Sequence, residues 1–161
     1  MSLRPFRTLT IGLVLVFSAS AMSFAQTKSP SPPKAPAVQV NHHELLRFVT
    51  AWNTVQKVQH RLAKSINADI SKSSLPPARF DQIYNSKLSG AKVRPKLTNQ
   101  EQQEYQALSH EIHGMQRLAE QEMVRAVRSD GLKISRFNQI ALAIQSDSKL
   151  KKRFLRLEQA G

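Results

Sequence analysis

Apolar residues recur with a helical period along most of this chain. Leu45, Phe48, Trp52, Val55, Gln59, Leu62 and Ile66 follow one another in alternating steps of three and four. Val49 and Val58 widen that stripe, and Gln59 is its polar member. The spacing predicts a long amphipathic helix with one buried face. Asn41 followed by Glu44 predicts its start as a capping box. The prolines of "SKSSLPPARF" predict its end between 71 and 77, because proline has no N–H to give and its ring clashes with the preceding turn. A second run carries Tyr105, Leu108, Ile112, Met115, Ala119 and Ala126 on one stripe, flanked by Leu118, Met123 and Val127 and interrupted by Glu122. Thr98 with Glu101 predicts its first turn. Gly131 predicts its end, as a residue free to take the left-handed conformation that closes a helix.

Two shorter apolar patterns follow. Leu132 is placed to fold back on the second helix. Ser135 predicts the cap of a third helix whose face is Phe137, Ile140, Ala141 and Ile144, and Asp147 or Ser148 that of a fourth with Leu150, Phe154 and Leu157 inward. Between the two long helices, "ARFDQIYNSKL" is compatible with a short helix packing Phe80, Ile83 and Tyr84, before a basic loop containing Gly90 and Pro95. No segment alternates with a strand period, and there is no internal repeat. The expected fold is all-α: a small bundle of two long antiparallel helices with two short C-terminal helices packed on them.

The N-terminal part changes the picture. Arg4 and Arg7 precede an apolar run whose strong part, Leu9 to Phe17, is shorter than the roughly 20 residues a spanning helix needs. "SFA" at 23–25 places small residues where a signal peptidase reads, so 1–25 is expected to be a cleaved signal peptide, with Gln26 the new N-terminus and no transmembrane span after processing. Residues 26–40 carry Pro30, Pro32, Pro33 and Pro36 and read as an extended, disordered linker. The helical domain is expected over 41–161. These features predict a periplasmic or secreted bacterial protein.

The full chain of 161 residues has a formal charge of +13 and no cysteine. Arg4 and Arg7 leave with the signal peptide and no acid does, so the mature charge is +11. Without cysteine there is no disulfide, thiolate nucleophile or thiolate metal site. The basic excess favours anionic partners such as anionic lipid, lipopolysaccharide or acidic polymers, rather than nucleic acid in that compartment, with another envelope protein as a further expected partner. It is equally compatible with a charge that serves solubility alone.

Candidate chemistry is sparse. His110 and His113 share a helix face in "SHEIHG", but two histidines do not make a metal site, and the pattern is not the HExxH of zinc proteases. His42, His43 and His60 add no ligand spacing. There is no GxSxG elbow, phosphate loop or GxGxxG turn, so no enzyme activity, metal or cofactor is expected. Lys149, Lys152, Arg153 and Arg156 recur at i, i+3, i+4 and i+7 and are expected to form a basic stripe opposite Leu150, Phe154 and Leu157. Such a helix could lie on an anionic surface; the other reading is a solvated face near a helix C-terminus. Gly131, Ser135, Phe137, Asn138, Ile140 and Asp147 read as a structural joint. Within it Asn138 is either a donor in a cleft or, preferably, the partner of a carbonyl freed at the Gly131 turn.

The stretch "MVRAVRSDGLKISRFNQIALAIQSDSKLKKRF" resembles the C-terminal signature of the bacterial exported domain of unknown function 4168 family. The matching positions are Met123, Gly131, Leu132, Phe137, Asn138, Ile140, Ala141, Asp147 and Leu150. "LLRFVTAWNTVQKVQ" at 45–59 looks like that family's N-terminal helix. The resemblance implies an exported helical domain and transfers no catalytic residues. The expected function is a non-enzymatic envelope protein binding an anionic component or a protein partner. The alternative is a chaperone-like or envelope stress-response factor, which needs an exposed apolar concavity.

Overall fold

The computed structural model of the protein describes residues 38–160. The expected signal peptide and most of the Pro-rich stretch lie outside the described residues. The domain is all-α: α1 His42–Lys72, α2 Pro77–Ser89, α3 Asn99–Ser129, α4 Ile134–Ser146 and α5 Ser148–Ala160. The long pair, α1 and α3, runs antiparallel, the N-terminal half of each packing on the C-terminal half of the other. Each has 31 residues, so each is about 46 Å long at 1.5 Å per residue.

The caps explain where these helices start and stop. The Asn41 side chain accepts from the Glu44 N–H at 2.8 Å, but Glu44 does not complete the expected capping box. Its carboxylate is taken by Arg136, since a charge-assisted two-point pair outcompetes a neutral backbone donor. The Thr98–Glu101 box is complete in both directions. Ser73 ends α1, and its hydroxyl donates to the carbonyl of Ile70. Pro77 then opens α2 at a position where proline's fixed φ suits the first turn, and Gly90 closes it at φ +69°. The region between the long helices therefore holds a full helix. Phe80 and Ile83 are buried as expected, whereas Tyr84 is exposed and only stacks on Phe80.

The apolar residues form two clusters at opposite ends of the long pair. At one end Phe48 and Trp52 of α1 meet Phe137 of α4 and Phe154 of α5, with Phe48 and Phe137 centroids 4.7 Å apart. Val40 is buried there and Val38 packs against it, so the packed domain begins inside the stretch expected to be linker. At the other end Ile66 and Ile70 of α1, Leu75 of the connection, Phe80 and Ile83 of α2, and Tyr105, Leu108 and Ile112 of α3 bury one another. Leu62 touches both clusters. Leu118, expected to flank the α3 stripe, points outward with 65% of its surface exposed. Glu122 beside it reaches across to Arg61 at 2.6 Å. No described helix is long and apolar enough to cross a membrane.

Candidate anion-binding surface

The joint after α3 is built by its backbone. Gly131 has φ +77°, donates to the carbonyl of Arg128 at 3.0 Å, and is followed by Leu132, whose N–H donates to the carbonyl of Val127 at 3.1 Å. Those two bonds are a Schellman closure, and its usual apolar contact is present in the burial of both Val127 and Leu132. The freed carbonyls are thus paired by main-chain donors, so the Asn138 amide is not what satisfies the turn; Asn138 is half-buried on α4. Ser135 is not the cap expected of it. α4 starts two residues earlier, with Lys133 as its N-cap and no side-chain cap bond. Burial of Leu132 and Phe137 sets that start, and the first intrahelical bond runs from the Phe137 N–H to the Lys133 carbonyl at 2.9 Å. Ile140 is fully buried. Asp147 does cap α5, accepting from the N–H groups of Lys149 and Leu150 at 2.8 and 3.1 Å.

Of the basic stripe, Lys149, Lys152 and Arg156 are exposed, and no described carboxylate pairs with them. Arg153 is different: it is half-buried and donates to the Val40 carbonyl at 3.3 Å. At about 100° per residue the four cations centre roughly 120° from the apolar stripe rather than opposite it. Arg153 is the member that falls nearest the core, so it is spent on holding the chain. Leu155, 40% exposed, lies at the edge of the cationic face beyond Lys152, about 90° from the centre of the three exposed cations.

Sequence periodicity does not find the polar ties that set this end of the bundle. Arg136 grips the Glu44 carboxylate with Nε at 2.6 Å and Nη2 at 2.8 Å, and also donates to the Gln39 carbonyl at 2.7 Å. The Arg136 hydrogen bonds hold the Glu44 carboxyl below its ordinary pKa, and the same pairing raises that of Arg136. Both groups therefore stay charged at neutral pH. At the far end Arg79 pairs with Glu101 at 2.8 Å. That bond, with the Thr98 N–H, lowers the Glu101 pKa to about 2. His110 and His113 are both exposed. Among the described residues no three histidine or acidic side chains gather as metal ligands would.

No curated protein and no solved structure matches the chain. The family described as domain of unknown function (DUF4168) matches residues 41–154, from the Asn41 cap to Phe154 of the aromatic cluster. That match covers both long helices and the joint between α3 and α5, and this chain belongs to the DUF4168 family.

Proposed function

We propose that this protein is a non-enzymatic, exported helical module that docks on an anionic envelope surface through the outward face of α5. One observation carries the reading: Lys149, Lys152 and Arg156 stand exposed on one face of α5, with exposed Leu155 at its edge and no described carboxylate to neutralise them. The exposed leucine gives that face an apolar contact to bury at a lipid interface, and the cations give it attraction to anionic head groups. The signal-like sequence at 1–25, and the charge of +11 that its removal would leave, support the same setting. Arg153 belongs to the fold and not to this surface.

The test is co-sedimentation with anionic vesicles. Each exposed cation contributes about 1 kcal/mol near an anionic leaflet. Replacing Lys149, Lys152 and Arg156 with Gln should therefore weaken binding by about 100-fold at low salt. Wild-type binding should also fall as the Debye length shrinks from roughly 10 Å at 0.1 M salt to 3 Å at 1 M. Equal binding by the two proteins, or no wild-type binding at low salt, overturns the reading.

A second reading, a chaperone-like factor, draws on the cleft of about 180 Å³ at the waist of the long pair, where Val58, Leu62, Met115 and Leu118 present apolar surface. It is smaller than the roughly 300 Å³ at which pockets for even small ligands begin, so the cationic face is preferred.

A further inference from the structure

The start of α1 and the Gly131 turn enclose a second polar feature, a cleft of about 310 Å³. Its charged lining is Glu44, Arg47, Lys133 and Arg136, and none of its lining residues comes from α5. Glu44 and Arg136 neutralise each other through their two-point pair. That leaves the two exposed cations, Arg47 and Lys133, for which no described residue supplies a carboxylate partner.

Arg47 is positioned by the turn itself. An added Cβ at Gly131 would lie 3.5 Å from Arg47 Nη1, so the guanidinium rests over the bare face of the glycine. Lys133 follows two residues later and lines the same cleft. The glycine that the left-handed turn requires therefore also gives the arginine a flat seat in the cleft that the lysine lines. The Arg47 charge is felt in the cleft, where it adds to the lowering of the Glu44 pKa after the larger effect of Arg136.

We propose that this cleft binds a phosphomonoester group, with Arg47 as the forked donor and Lys133 as the second cation. The net charge left free there is that of two cations, and a phosphomonoester carries about −1.5 to −2 at neutral pH with three acceptor oxygens. A carboxylate would leave one cation unmatched. Guanidinium donors suit two oxygens of one phosphate at once, and an ammonium adds a point charge without demanding a direction. The volume sits at the lower edge of small-ligand pockets, enough for one head group. The group is supplied either by a free phosphorylated solute or by the head group of a lipid.

This proposal does not depend on the α5 surface, and its test keeps the two apart. The purified protein is titrated with inorganic phosphate at constant ionic strength, following the backbone amide resonances of Gly131, Leu132 and Lys133, with chloride as the control anion. Saturable shifts confined to the cleft are expected, and Arg47→Gln combined with Lys133→Gln should raise the midpoint at least tenfold. Both residues are exposed, so the melting temperature of the double variant should match wild type. The Lys149, Lys152 and Arg156 to Gln variant should titrate like wild type. Shifts that do not saturate, that chloride reproduces, or that survive the double variant overturn the proposal. A second arm identifies the source. Vesicles bearing a phosphomonoester lipid are compared with phosphodiester vesicles of equal charge, each with and without free phosphate as competitor. Selective binding of the phosphomonoester vesicles, competed by phosphate and lost in the double variant, assigns a lipid head group. No selectivity between vesicles, with the phosphate titration intact, assigns a free solute.

Discussion

The two ends of the α1–α3 pair are built differently. The aromatic end gathers four aromatic rings from three helices, and its chain segment 38–40 is tied down by Arg136 and Arg153. The hairpin end has one short helix and a connection to cover it, with Leu75, Phe80 and Ile83 as the inserted residues. There Arg79 ties α2 to α3 through Glu101 and to the loop through the Pro95 carbonyl, and Glu104 accepts from the Ser74 N–H. Dense aromatic packing is insensitive to pH, whereas a sparser cluster leans on its polar fastenings. The ends should therefore differ in stability and in response to acid. The protein carries its own reporters, since its single tryptophan lies at the aromatic end and both tyrosines lie at the other.

The largest effect is expected from Phe48→Ala. Phe48 is 1% exposed and touches the other three rings, so its removal should cost about 3–5 kcal/mol. Both reporters should then move together on denaturant melting, because α4 and α5 dock through that residue. Ile83→Ala, at the fully buried centre of the hairpin end, should cost about 2–5 kcal/mol. Here tyrosine near-ultraviolet dichroism should change at lower denaturant than tryptophan fluorescence. Coincident transitions in the Ile83 variant would show that the two ends melt as one unit, which breaks the comparison.

Gly131→Val tests the aromatic end through its backbone. A β-branched residue at φ +77° is strained, and the left-handed conformation costs an L-residue roughly 1–2 kcal/mol. The added Cβ meets Arg47 only at ordinary contact distance, so the loss is conformational. Gly131→Asn, which tolerates that conformation better, should lose less in a thermal melt. Equal melting temperatures for all three proteins would contradict the turn.

Acid should give the smallest and most local effect. The Glu101 pKa is depressed to about 2 in the fold from an ordinary 4.5. A depressed carboxyl stabilises the fold above its ordinary value, and that contribution is lost as pH falls through the lower one. Between about pH 4.5 and 2 the tyrosine signal should therefore change before the tryptophan signal. Arg79→Gln should remove most of that difference. The Glu44 carboxyl is lowered likewise by Arg136 at the aromatic end, but the rings there should hold the tryptophan signal.

The long helices were legible because burial of one helix face repeats every three to four residues. The Thr98–Glu101 box and the Gly131 stop were legible because each is a local backbone need met by a nearby residue. Ser135 misled as a cap. The start of α4 is fixed by Leu132 and Phe137 entering the core, a tertiary demand that overrides a cap preference worth about 1 kcal/mol. Arg136 with Glu44 and Arg153 with Val40 lie 92 and 113 residues apart in sequence and leave no local pattern. The phosphate-sized cleft was hidden for the same reason, because Arg47 and Lys133 come together only when α1 meets the turn. Leu118 fell outward because the α3 stripe passes through Ala119 and Met123, which bring α3 close to α1.

The hydrogen bonds from Arg136 to Gln39 and from Arg153 to Val40 also order events in time. A polypeptide emerging N-terminus first from the ribosome delivers its hairpin-end residues, Ile66 to Ile112, as one continuous stretch. That end can close while the rest of the chain is still threading. The aromatic end finishes later: α3 can cover part of α1 first, but the ring cluster of Phe48 and Trp52 lacks Phe137 and Phe154 until α4 and α5 arrive. During that interval Phe48 and Trp52 lack their ring partners, and a chain halted before residue 154 would leave them partly uncovered. Closure of the aromatic end thus requires the chain to have emerged at least through Phe154, and two arginines then close on the carbonyls of Gln39 and Val40.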